Sequence, residues 1–245
     1  MPKFAANISL LFKELPYLDR FAAARRAGFD AVEILFPYDL QADETKNALQ
    51  AAGLELVLIN APPPGEAPGY PALPEGGAKF RRDMVQVMRY ADSLTPGLIH
   101  VMAGYEQGIA AQAAFIRNLA WLADTFPKQR FTIEPLNPKD QPGYFLNDYQ
   151  LAAEVLAKVA RPNVGLQYDF YHAEMIHGDA LSVWRDYGEG AFHVQIGSAP
   201  DRTEPDAAEI APLFEALDQS GYTGWVSAEY NPSTARTEAS LGWMA

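Results

Sequence analysis

The chain of 245 residues contains no cysteine. That excludes a disulfide framework, a thiol nucleophile and thiolate-held zinc or iron–sulfur centres. Basic residues are few: 19 Lys and Arg stand against 31 Asp and Glu, for a formal net charge of -12 and a pI near 4.7. Such an acidic balance argues against an electrostatic grip on nucleic acid or on an anionic membrane. It leaves open the local charge around a small substrate. No apolar run approaches the length of a membrane span, and the opening Met1-Pro-Lys-Phe-Ala-Ala-Asn lacks a signal-like apolar region. The expectation is a cytoplasmic protein with no nucleic-acid or membrane partner, free to form homo-oligomers.

What the chain does have is 49% hydrophobic residues, enough for a large core. They fall into short apolar runs that alternate with longer amphipathic stretches. The runs 3–11, 31–36, 54–60, 97–103, 131–136, 164–171, 191–196 and 224–230 read as strands. Helices are predicted over 17–27, 43–52, 79–94, 108–125, 147–160, 180–187 and 206–220, with a short one closing the tail. Gly28 and Gly53 stop two of them, and Asn147 or Asp148 caps another. A Pro/Gly-rich stretch, 61–77, comes after the third strand and is a candidate lid.

Strand–helix alternation implies parallel βαβ units with right-handed crossovers. Eight such units in this length predict one α/β domain over 1–245, a closed (β/α)8 TIM barrel. A doubly wound sheet would carry a Gly-rich turn after its first strand, where this chain reads Phe12-Lys-Glu-Leu-Pro.

Four polar residues interrupt the late apolar runs: Glu134, Asp169, Gln195 and Glu229, separated by 35, 26 and 34 residues. A lone strand carboxylate is ordinarily an exposed edge residue or half of a buried salt bridge. Four in consecutive units, toward the strand ends where barrels keep their chemistry, point to one shared site. Buried carboxylates cost several kcal/mol each unless compensated, and a divalent metal is the simplest remedy. Two Glu, one Asp and one Gln amide are hard oxygen donors, which suit Mg2+ or Mn2+. His172 lies three residues beyond Asp169, and Arg202 seven beyond Gln195, each in a loop expected to open on the same face. An arginine there could hold a substrate carboxylate bidentately. His193 shares a strand face with Gln195, one layer deeper, and reads as structural.

Several segments resemble the hydroxypyruvate isomerase family, a branch of the xylose-isomerase-like barrels that also holds ketose 3-epimerases and endonuclease IV. They are Phe4-Ala-Ala-Asn-Ile-Ser-Leu-Leu-Phe, Gly28-Phe-Asp-Ala-Val-Glu-Ile-Leu-Phe-Pro-Tyr-Asp, Ile133-Glu-Pro-Leu-Asn, Pro142-Gly-Tyr-Phe-Leu, Gln167-Tyr-Asp-Phe-Tyr-His, His193-Val-Gln-Ile, Gly221-Tyr-Thr-Gly-Trp-Val-Ser-Ala-Glu-Tyr and Gly242-Trp-Met. The resemblance implies a divalent-metal isomerase of a short hydroxy-oxo acid, with hydroxypyruvate and tartronate semialdehyde as the leading pair. It makes Glu134 and Glu229 the paired acid/base carboxylates. Asp169 and Gln195 would complete the metal site, and His172 and Arg202 would contact substrate. Two loops depart from the family pattern: 65–77 lacks a Gly-Asp/Glu-Arg-Gly-like segment, and Arg202-Thr-Glu-Pro-Asp loses two glycines. Alternatives are a 2-oxo-tetronate isomerase, a ketose 3-epimerase, a non-catalytic sensor or carbohydrate-binding protein and, more distantly, an endonuclease IV-like DNA repair nuclease. Four histidines and the net charge of -12 disfavour the nuclease.

Overall fold

Each strand is short, so closure into a barrel rests on pairing all the way round. In the computed structural model, which describes residues 2–62 and 69–244, β1 (Lys3–Asn7) pairs in parallel with both β2 (Ala31–Ile34) and β8 (Trp225–Ala228). Between them run β3 (Glu55–Asn60), β4 (Leu98–His100), β5 (Arg130–Ile133), β6 (Val164–Asp169) and β7 (His193–Ile196), in sequence order. The sheet is therefore a closed, all-parallel eight-stranded barrel, the (β/α)8 architecture expected. The helices on its outside are α1 (Asp19–Arg26), α2 (Ala42–Ala52), α3 (Gly77–Leu94), α4 (Gly108–Thr125), α5 (Tyr149–Val159), α6 (Phe170–His177), α7 (Ala180–Tyr187) and α8 (Ala207–Gln219). Among the described residues no helix is long and apolar enough to cross a membrane.

Six strands end earlier than the apolar runs, while β3 and β7 end where those runs do. Ile8, Leu11 and Phe12 come after β1, and Val101 and Ala103 after β4; all are buried in loops, so hydrophobicity there marks a covered turn and not a ladder. Helix α6 falls in a stretch read as strand end and loop. The side chain of Asp169 caps it by accepting from the Tyr171 N–H at 2.8 Å, and Gly178 closes it in a left-handed conformation. Asp148, one of the two expected caps, accepts from the N–H groups of Gln150 and Leu151 at the start of α5. The tail ends in 3-10 turns over Thr237–Ser240 and Gly242–Met244. Part of the candidate lid, 63–68, lies outside the described residues. The chain from Gly69 onward is tied down: Gly69 bridges Ala103, and Asn118 donates to the Pro71 carbonyl at 2.8 Å.

Strand alternation divides the side chains. Phe131, Ile133, Val194, Ile196, Val226 and Ala228 face the helices within the large apolar core. Their neighbours Thr132, Glu134, His193, Gln195, Ser227 and Glu229 face inward. The barrel has a small apolar floor of Ala5, Ala31, Val57, Leu58 and Leu98, against which Phe192 and Trp225 pack. Arg130 lies over the Phe192 ring at 3.9 Å and Lys3 over Trp225 at 4.8 Å. Above this floor the interior is polar.

Gly165 in β6 is fitted to the floor. A Cβ placed there would stand 2.5 Å from Cγ of Phe192, whose ring is held beneath Arg130. Gly165→Ala is expected to destabilise the protein by about 1–3 kcal/mol through overpacking, read as a lowered urea midpoint. An unchanged midpoint would show the ring free to move.

Candidate active site

Carboxylates gather where the strands end. Glu134 lies just past β5, Asp169 is the last residue of β6, Gln195 lies in β7 and Glu229 lies just past β8; each is at most 5% exposed. Parallel pairing sets Asp169 directly beside Gln195. Burial pushes the Glu134 carboxyl well above its ordinary pKa, and the nearby charges of Glu229 and Asp169 push it further. Glu229 is likewise raised well above its ordinary value by burial, with Arg202 opposing. Burial raises Asp169 to about 6, against the pull of Arg202. The three acids therefore share one poorly hydrated space.

Arg202 is the cation that offsets them. Its Nη2 lies 3.2 Å from Asp169 Oδ2 and 3.1 Å from Glu229 Oε1. The guanidinium thus spans two site carboxylates, where a free clamp for substrate was expected. Its Nε is buried without a partner and remains available as a donor. The backbone holds Arg202 at φ 51°, a conformation costly for a non-glycine residue. The Asn231 N–H donates to its carbonyl at 2.8 Å and anchors the turn.

His172 stands on α6, not in a loop, and is buried. Its Nδ1 lies 3.1 Å from the backbone N–H of Asn137 and 2.9 Å from the Asn137 side-chain nitrogen. An Nδ1 that accepts hydrogen bonds assigns the proton to Nε2. Burial, reinforced by Arg202, holds the ring's pKa well below its ordinary value and keeps it neutral. Nε2 lies 3.7 Å from Asp169 Oδ2 and faces the carboxylates as a donor.

Glu134, Asp169 and His172 offer atoms within 4.8 Å of one another, a buried group that could hold a metal ion. The tautomer makes His172 the weakest ligand of the three, because its facing nitrogen carries the proton. Two carboxylate oxygens, Glu134 Oε1 and Glu229 Oε2, are buried with no hydrogen-bond partner. Orphaned anionic oxygens of this kind fit a hard cation or a proton to be moved.

A second layer lies beneath, most of it unforeseen in the sequence. Gln167 bridges Glu134 and Gln195, and Glu33 takes hydrogen bonds from Asn7 and Gln195. His193 sits in this layer, as expected, 2.6 Å from Glu33. The signal for Glu33 was present: it interrupts the apolar Ala31-Val-Glu-Ile as Glu134 interrupts its own strand. His100 is buried 3.6 Å from Glu134, whereas His177 lies outside the group beside Asp148. A cavity of ≈ 950 Å3 opens at the opposite pole, below the floor, and none of these acids lines it. The titratable groups converge at the C-terminal mouth, the end where barrels of this kind keep their chemistry.

Fold and site together define an enzyme built on a TIM barrel. Comparison with known proteins gives a match over residues 21–245 to the model of the xylose isomerase-like TIM barrel family. The 2-oxo-tetronate isomerase of Cupriavidus necator is 42% identical, with 100% of this chain and 98% of that protein covered. The hydroxypyruvate isomerase of Escherichia coli strain K12 is 34% identical over the same shares. A solved structure named AP endonuclease, family 2, from Brucella melitensis superimposes with a TM-score of 0.95 at 39% identity, covering 100% of this chain and 98% of its own. The chain belongs to the xylose isomerase-like TIM barrel family, and it is an isomerase.

Removing Arg202 would leave Asp169 and Glu229 buried without their cation. With chelator present, Arg202→Met is expected to cost about 3 kcal/mol of stability at pH 8. These carboxyls have folded-state pKa values raised above those of the unfolded chain. They bind protons more readily when folded, so the deficit grows as pH rises through about 6 and shrinks toward pH 5. Urea unfolding at the two pH values measures it; an equal loss at both would contradict this electrostatic account.

Proposed function

We propose that this isomerase exchanges the carbonyl and hydroxyl between C2 and C3 of a short 2-oxo acid through an ene-diol. The observation that carries the proposal is the pair of raised, buried carboxyls, Glu134 and Glu229, each with an unpartnered oxygen at the mouth. One takes the proton from C3, and the same or the other carboxyl returns a proton to C2. Raised pKa values suit groups that must both accept and give a proton near neutrality. The Nε2–H of His172 donates to a substrate oxygen as it gains charge, and the free Nε of Arg202 is placed to hold the substrate carboxylate. Glu134, Asp169, Gln195 and Glu229 would hold Mg2+ or Mn2+, which when bound supplies Lewis-acid polarisation of the two reacting oxygens. Gln195 fits this part because its carbonyl oxygen, though it accepts from Gln167, keeps a second lone pair.

Two substrates share this C2/C3 chemistry and differ in the group on C3. Hydroxypyruvate carries hydrogen there, and 2-oxo-tetronate carries a hydroxymethyl group. The 2-oxo-tetronate isomerases of Cupriavidus necator and Pectobacterium atrosepticum are 42% and 41% identical, against 34% for the Escherichia coli hydroxypyruvate isomerase. The four-carbon acid is therefore our first choice and hydroxypyruvate the second. A ketose 3-epimerase from Clostridium cellulolyticum shares 20% identity, which speaks for the fold alone. The name of the Brucella structure favours a nuclease. A net charge of -12 opposes it, because each phosphate contact calls for a cation.

Glu134→Gln and Glu229→Gln should each lower turnover by roughly 10²–10⁴-fold while the fold survives. The assay is conversion of both acids in deuterated water, with circular dichroism as the fold check. Near wild-type turnover in either variant would refute the acid–base assignment. A wild-type protein that incorporates no deuterium from either acid would refute the proposal.

Metal affinity should fall as pH drops through about 6, because protons compete for Asp169, and the raised carboxyls of Glu134 and Glu229 add to the competition. The expected loss is roughly tenfold per pH unit for each proton displaced. Mn2+ titration followed by electron paramagnetic resonance between pH 5 and 8 measures it. A flat profile would place the ion elsewhere.

A further inference from the structure

Below the reacting oxygens the buried hydrogen bonds run in one direction. The Thr132 hydroxyl donates to Gln167 Oε1 at 2.8 Å. Gln167 Nε2 donates to Glu134 Oε2 at 3.0 Å and to Gln195 Oε1 at 2.8 Å. Gln195 Nε2 donates to Glu33 Oε1 at 2.9 Å, an oxygen that also accepts from Asn7 Nδ2 at 2.8 Å. His193 Nε2 approaches the other oxygen, Oε2, at 2.6 Å. All six partners of this chain beyond the reacting acid are buried.

A carboxamide has nearly the same shape whichever way it is turned, so only its neighbours decide which end is oxygen. At one end of this chain stands a carboxylate, which only accepts. It obliges Gln195 to present nitrogen toward β2 and oxygen toward Gln167. Gln167, whose oxygen is taken by Thr132, then presents its amino group to Glu134. That bond occupies Oε2 of Glu134 and leaves Oε1 unpartnered.

We infer that Glu33, two strands away from any reacting acid, is a positioning residue: it sets the sense of the Gln195 and Gln167 amides and through them the exposed oxygen of Glu134. This deepens the functional reading above and rests on it. Glu33 meets no substrate; its influence passes through Gln195, the proposed ligand, and Gln167.

The test is a swap. Glu33→Gln keeps the size but leaves an acceptor at only one end, so an amino group faces either those of Asn7 and Gln195 or Nε2 of His193. It is expected to weaken Mn2+ binding and lower kcat, each by about 10–100-fold, with a smaller change in KM. Gln195→Glu alone faces Glu33 with a second carboxylate. Combined in one chain, Glu33→Gln and Gln195→Glu restore a donor opposite an acceptor, and Glu at 195 still accepts from Gln167. The double variant should recover at least about tenfold in Mn2+ affinity over what the two single losses sum to. If Glu33→Gln alone does not fold, a folded double variant is itself the rescue. Additive losses, an unfolded double variant, or wild-type affinity and kcat in Glu33→Gln would overturn the inference. Wild-type protein that binds Mn2+ but exchanges no substrate hydrogen defeats the functional reading and leaves the Mn2+ comparison to decide this one. Wild-type protein that does neither overturns both.

Discussion

The cost of keeping carboxylates away from water governs this molecule. Glu33, Glu134, Asp169 and Glu229 are all buried in one barrel. Against them the described residues set the guanidinium of Arg202 and a tight bond from His193, together with a lattice of amide donors. Left uncompensated, such charges would cost several kcal/mol each. The compensation is uneven. Both oxygens of Glu33 have partners, three donors in all, whereas Glu134 and Glu229 each keep one bare oxygen. That difference separates the acid proposed to support from the two proposed to react.

Much of this could be read in the chain. A polar residue interrupting an apolar strand marked Glu134, Asp169, Gln195 and Glu229, because period-two alternation leaves an inward carboxylate little alternative to a shared interior. The same rule applied to Ala31-Val-Glu-Ile would have marked Glu33; an early strand, far from the cluster of late ones, did not invite it. Helix α6 was hidden because Asp169 ends a strand and caps a helix at once, with no intervening turn residue to announce the change. Six apolar runs outlast their strands because the loops over the mouth are themselves apolar and buried, as Ile8 and Phe12 show. The amide lattice had no sequence signal at all: a glutamine's direction depends on partners 28 and 162 residues away.

Histidine use obeys the same logic. His172 is held neutral by burial and oriented by Asn137, so it turns an N–H toward the carboxylates without adding charge to a crowded site. His100 is also neutral, its pKa lowered to about 3 by burial, which lets it sit beside Glu134 without forming a fixed ion pair there. Arg202 brings permanent positive charge to the acids of the mouth, and its anchored, left-handed turn keeps that charge from wandering.

The floor of Ala5, Ala31, Val57, Leu58 and Leu98, backed by Phe192 and Trp225, closes the barrel from beneath. On the function proposed above, reactant and product pass by the rim from which the strands' last side chains look out, a doorway that the underside does not share. A solid support or a fused companion attached there would leave the doorway clear, and the enzyme could be immobilised by its base with its working end facing the solution.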